Sequence, residues 1–251
     1  MYINNIHILY YVALIFLGII TGQLTDWAIK RMPEYKKVFS KDIYKEYKKE
    51  FKPNYILIAI NCIINVALLY ILGWNNTSLV SNTELIKYLI ITPMLLTAFV
   101  IDYKLQIIPN KLNLTLLEVG IIFMLINGIF DINMAVNMLL GMVTGAGIFL
   151  LITWIGSLIA GKEAMGFGDV KLMGALGLLF GFQNIIAIAV MSFLIGAILS
   201  IFLLVTKIKK MDEYIPFGPF IILATFIAMV VPFDLILFVL LKIFTLGMYK
   251  A

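Results

Sequence analysis

An all-α, polytopic membrane bundle of about eight transmembrane helices is predicted by three observations. The chain is 63% hydrophobic and only 13% charged, against roughly 25% charged residues in soluble domains. Its mean hydropathy is +1.05. Its apolar runs reach the length, about 17 to 25 residues, at which a helix spans a hydrocarbon core of roughly 30 Å, and they do not alternate in polarity as the strands of a membrane barrel would. No internal repeat or low-complexity linker divides the chain, so residues 1–251 read as one integral membrane domain, with 25–53 a short basic cytoplasmic loop.

A net charge of +5 does not point to nucleic acid, because the basic residues cluster between spans, the pattern that orients a membrane protein in its lipid bilayer. With one cysteine, Cys62, and one histidine, His7, neither a disulfide framework nor a Cys/His metal site is expected, and no cofactor is expected. The first apolar run lacks a basic leader and a small-residue exit, so it reads as the first span and not as a cleaved signal.

Span one is expected from about Ile6 to Leu24. The segment after it holds Lys30, Arg31, Lys36, Lys37, Lys41, Lys45, Lys48, Lys49 and Lys52, which places it in the cytoplasm and the N-terminus outside. Within it, Ile43, Tyr47 and Phe51 at i, i+4 spacing suit either an interfacial amphipathic helix or a solvated one. Span two is expected over about Asn54 to Gly73 and span three over about Leu85 to Ile101, ending on Asp102. Lys104 and Lys111 follow at once and mark a cytoplasmic end, while Pro109 breaks the helix and holds Ile108 extended.

Span four, about Leu112 to Gly128, returns to an outer turn near Asp131. Span five, about Met134 to Ile159, carries Gly141 and Gly145, a small-xxx-small face for close helix contact. The loop 161–168 is then cytoplasmic. Span six, about Val170 to Phe182, is short and glycine-rich, as suits burial against neighbours. Span seven covers about Ile185 to Thr206, and Pro216 and Pro219 stiffen the approach to span eight. The last segment, carrying Lys242, is either an interfacial helix or a ninth span; a mid-span lysine is costly and favours the first.

Two aspartates thus stand at the same membrane face, Asp102 closing span three and Asp169 opening span six. Two carboxylates within a few Å cannot both ionise, so one keeps a proton, an arrangement that can activate water. Asp169 before a helix also suits an N-cap. Gly166 and Gly168 form an active-site loop, permitting backbone angles that other residues resist and letting a peptide approach the acid. Lys104 and Lys171 either tune the charge of the pair and contact substrate, or anchor the chain at the positive face. A proton- or ion-coupled transporter is the rival class, since intramembrane acids also mark ion pathways; both acids sitting at one face and not near the midplane argue against it.

Three segments, IDYKLQIIPNKLNL around Asp102, GFGDVKLMGALG around Asp169, and IPFGPF ahead of span eight, resemble the type IV prepilin peptidase family of G-x-G-D intramembrane aspartic proteases. The resemblance implies removal of the leader from a type IV prepilin or pseudopilin substrate, at the cytoplasmic face of a bacterial plasma membrane. It places Asp102 and Asp169 at the catalytic pair. In GQLTDWAIKRMP, Thr25 and Asp26 stand where other residues are typical of the family, and the loop lacks the paired cysteines with which many bifunctional members hold zinc. N-methylation of the new terminus is therefore kept as an alternative second activity.

Overall fold

A computed structural model describes residues 2–4, 6–33, 38, 52–74, 79–161, 165–206 and 215–245. The expected amphipathic segment at 43–51 lies outside the described residues. The chain divides into two compact units, Met1–Ile101 and Asp102–Ala251. Among the described residues six helices are long and apolar enough to cross a membrane, and the protein is an all-α, multi-pass membrane protein.

In the first unit a small hairpin of β1 (Tyr2–Ile3) and β2 (Ile6–His7) pairs Tyr2 with His7 and Ile3 with Ile6. Asn4 sits at its turn with φ 50° and donates from Nδ2 to the Tyr70 carbonyl at 3.0 Å. Helix α1 (Ile8–Arg31) follows directly. His7, expected only as an interfacial residue, caps it: Nδ1 accepts from the Leu9 N–H at 3.3 Å, covering one of the donors that every helix start leaves free. The helix also runs past Leu24, so Thr25 and Asp26 are helical and buried.

Helix α2 (Tyr55–Leu72) packs against α1 on a seam of small residues. A Cβ on Gly18 would lie 2.7 Å from Cys62 Cα, and one on Gly22 would lie 2.5 Å from Ile58 Cα. Gly18 and Gly22 therefore let the two backbones touch, the packing that association within lipid rewards. At the lower end of this seam Asp26 accepts from Lys30 Nζ at 2.6 Å and from Asn54 Nδ2 at 2.9 Å. Asn54 in turn caps α2, its Oδ1 accepting from Leu57 N–H. Helix α3 (Leu79–Leu105) carries the chain out of this unit.

The second unit is built on three helices, α4 (Asn110–Phe130), α5 (Ile132–Ala160) and α6 (Phe167–Val205). Phe123, Met138 and Leu178, one from each, form a buried cluster among them. The α5–α6 contact is the tightest: a Cβ on Gly141 would run into the Gly177 carbonyl oxygen, and one on Gly145 into that of Met173. The expected glycine face of span five thus meets the glycines of span six.

Helix α6 holds two of the expected spans, because Gly181 (φ 77°, ψ 177°) breaks it in the middle. A break inside a membrane frees backbone groups that lipid cannot satisfy. Here Asn137 Oδ1 accepts from the Phe182 N–H at 3.3 Å, and Asn184 Nδ2 donates to the Phe180 carbonyl at 3.1 Å. From Asp169 to Gly181 every residue but Lys171 is buried, as the short span's glycines predict.

Helix α7 (Gly218–Val230), where the eighth span is expected, has 13 residues, and α8 (Phe233–Phe244) has 12. At about 1.5 Å per residue both are about 20 Å long or less, shorter than a core of roughly 30 Å, and neither is among the helices long enough to cross. Helix α8 buries Ile236 and Leu240 on one face, the geometry of the interfacial alternative.

Candidate active site

The backbone around Asp102 is set by the end of α3. The Gln106 N–H closes the helix on the Asp102 carbonyl at 2.8 Å, and Gln106 itself turns left-handed at φ 57°. The chain then runs extended through Ile108 to Pro109, whose ring forbids helix at the residue before it. Asp102 is left as a buried carboxylate, 4% exposed.

Among the described residues its hydrogen-bond partner comes from the start of α7. The Gly218 N–H donates to Asp102 Oδ2 at 3.0 Å, one of the free donors at a helix N-terminus, where the helix dipole also favours an anion. A Cβ on Gly218 would stand 2.5 Å from the same oxygen, so only glycine brings this amide up to the acid. Four phenylalanines fix the segment. Phe217 lies with its ring centroid 4.9 Å from that of Phe193, 5.9 Å from that of Phe149 and 5.8 Å from that of Phe220.

Asp169 lies in the first turn of α6 and is 4% exposed. It is not the cap that its position before an apolar run suggests: the N-cap is Gly166, and the helix begins at Phe167. From the third helical position its carboxylate instead lies back beside the Gly166 backbone, the position from which a capping box is closed. Asp102 and Asp169 lie close enough for their charges to interact.

The glycines of the turn act differently from the expectation. Gly166 has φ −68°, and neither it nor Gly168 is among the residues at positive φ, so unusual backbone angles are not their reason. At Gly168 close approach is: a Cβ there would lie 3.3 Å from Ile108 Cβ, and one on Gly218 would lie 3.2 Å from Ile108 Cδ1, whereas one on Gly166 would make only ordinary contact with Asp169 Oδ2 at 3.4 Å. Ile108 is thus wedged between the two glycine turns, and the three motif segments meet on it.

Lys171 donates from Nζ to Asn110 Oδ1 at 2.7 Å and lies 5.2 Å above the Phe167 ring, tying α6 to α4. Lys104 is exposed. Among the described residues no hydrogen bond or ion pair joins either lysine to Asp102 or Asp169. Among the described residues there is no group of three His, Cys, Asp or Glu side chains placed to hold a metal ion. Gly218, Ile108 and Asn113, which donates to the Gly168 carbonyl at 3.0 Å, are site residues that reading the sequence missed. All three stand inside the motif segments, Gly218 in IPFGPF and Ile108 and Asn113 in IDYKLQIIPNKLNL, but none is assigned a place in the site from the sequence.

Residues 89–201 match the type IV leader peptidase family. The chain is 34% identical over 141 residues to the prepilin leader peptidase/N-methyltransferase of Aeromonas hydrophila, which covers 56% of this chain and 48% of that protein. It is 35% identical over 144 residues to the protein of the same name from Pseudomonas aeruginosa, covering 56% and 48%. With that of Escherichia coli K12 the identity is 34% over 132 residues, covering 53% and 57%. The chain therefore spans about half the length of the curated relatives it matches. No solved structure matches it.

Proposed function

We propose that this protein, whose residues 89–201 match the type IV leader peptidase family, is an intramembrane aspartic endopeptidase that removes the leader of a type IV prepilin or pseudopilin. The observation that carries the reading is the pairing of Asp102 and Asp169, two buried carboxylates from separate helices with interacting charges. The ionised member of the pair takes a proton from water while the protonated member donates a hydrogen bond to the scissile carbonyl. The water oxygen bonds to the carbonyl carbon, the C–N bond breaks, and the leaving amine takes up a proton. The two titrate as a pair, so the roles belong to the dyad and not to either residue.

The Gly218 N–H fixes the Asp102 carboxylate and the Asp169 carboxylate lies against the Gly166 backbone, which supports preorganisation of the pair before substrate arrives. Lys104, Lys111 and Lys171 cluster at the ends that carry the acids, which supports a site on the cytoplasmic face of the bacterial inner membrane. A basic leader in the cytoplasm and an apolar helix in lipid would bring their junction to that depth. Lys104 and Lys171 then serve the positive face, with Lys171 bracing the α4–α6 contact.

The relatives are also named N-methyltransferases, and N-methylation of the new terminus remains an alternative second activity for this chain, whose only cysteine is Cys62. The peptidase reading is tested by co-expression with a prepilin. Wild type shifts the prepilin to its mature size on a gel, and Asp102→Asn and Asp169→Asn each leave it uncut while still inserting in the membrane. Efficient processing by either variant would sink the dyad.

A further inference from the structure

Beside the G-x-G-D turn lies a groove of about 710 Å³ whose walls come from α4, α5 and the buried half of α6. Leu114, Val143 and Leu150 make its lining apolar, and Asn110, Asn113 and Lys171 stand at one end. Lys171 and Asn110 are bonded to each other. Asn113 is different. It is 4% exposed, its Nδ2 is spent on the Gly168 carbonyl, and its Oδ1 has no hydrogen-bond partner among the described residues. A buried amide oxygen without a donor is costly and calls for an explanation.

The occupant must therefore be apolar along most of its length and offer an N–H at one end. The start of an apolar helix has this chemistry, since its first four backbone N–H groups lack intrahelical partners. A lipid acyl chain fills the apolar walls but has no donor for Asn113. We propose that this groove seats the first turns of the substrate's apolar helix, with Asn113 Oδ1 accepting one of its free backbone N–H groups. The inference rests on the leader-peptidase reading and adds where the substrate lies. Because the same Asn113 side chain holds Gly168, the residue before Asp169, the register of the bound helix is tied to the turn that carries the acid.

Disulfide trapping tests it. In a Cys62→Ser background, Leu150→Cys lines the groove, whereas Leu151→Cys, exposed on the same helix at nearly the same depth, does not. Each is mixed in membranes with prepilins carrying single cysteines along the apolar helix. Leu150→Cys is expected to cross-link at positions recurring every three or four residues, and Leu151→Cys at none. Absence of cross-links from Leu150→Cys, or equal trapping by Leu151→Cys, would overturn the groove assignment if the wild-type chain still cuts these prepilins. Prepilins left uncut by the wild-type chain would instead overturn the peptidase reading and the groove with it. The role of Asn113 is read separately with synthetic substrates in which the second, third or fourth amide after the scissile bond is replaced by an ester. One position is expected to raise KM about two- to tenfold, the worth of one net hydrogen bond; a flat profile would overturn it.

Discussion

Gly218 has no room for a side chain, and what a methyl group there would strike decides what the substitution does. The nearest atom is Asp102 Oδ2, at 2.5 Å, the end of a side chain that can rotate away. In Gly218→Ala the fold therefore survives and the carboxylate moves. A displacement near 1 Å in a reacting group can cost about a hundredfold in rate. Gly218→Ala should accordingly insert and melt close to wild type in detergent while its kcat falls about a hundredfold. A variant that melts early, or one with normal kcat, would show that Gly218 does not aim Asp102.

Gly168 works by the same rule of proximity. It is not at positive φ, and its value is that Ile108 can come close, whereas a Cβ on Gly166 would make only ordinary contact with the Asp169 carboxylate. Glycine beside an acid in a sequence invites an explanation by backbone freedom, as it did here. The contact with Ile108, some sixty positions away in the chain, could not be read from local pattern at all.

At the scale of helices, the α5–α6 seam places Asp169 by holding the short buried half of α6. A Cβ on Gly177 would meet the backbone of Gly141, which cannot rotate aside, so the helices themselves would have to part. Gly177→Ala is expected to destabilise the protein by about 1 to 3 kcal/mol, as overpacking does, seen as a lowered thermal midpoint and not as a selective loss of kcat. Gly181→Ala should cost a similar amount, since φ 77° with ψ 177° is a region essentially reserved for glycine. An unchanged midpoint in both variants would remove the seam and the break from the account.

Hydropathy located the spans well because lipid imposes length and composition on each helix separately. It separated the two halves of α6 without showing how they join. The join needs Asn137 from α5 to accept the Phe182 N–H, a tertiary satisfaction that periodicity does not encode. The Gly18 and Gly22 contact with α2 escaped notice although its i, i+4 spacing was in plain view, while the like pair Gly141 and Gly145 was read correctly. The aspartates were legible because an ionisable group at a helix end is conspicuous among apolar residues. Their shared environment was not, since the Gly218 bond to Asp102 joins residues 116 positions apart.

For the whole molecule, the likeness to the type IV leader peptidase family rests on residues 89–201, a stretch that contains both aspartates but not Gly218. The relatives' second named activity is a separate question, decided by mass spectrometry of mature pilin made with this protein as the sole processing enzyme. An unmodified N-terminal amine is expected from a chain without paired cysteines in its first loop. A terminus heavier by one methyl group would assign the second activity to this chain.

The central claim is that Asp102 and Asp169 act as one unit, and single-turnover cleavage of a synthetic prepilin by protein reconstituted in lipid vesicles tests it most directly. Residues that act as a unit lose nearly everything at the first substitution. Asp102→Asn and Asp169→Asn should each fall to background, and the double variant should fall no further. A single variant that keeps a measurable rate, with a double variant showing the product of two partial losses, would contradict a water-activating pair.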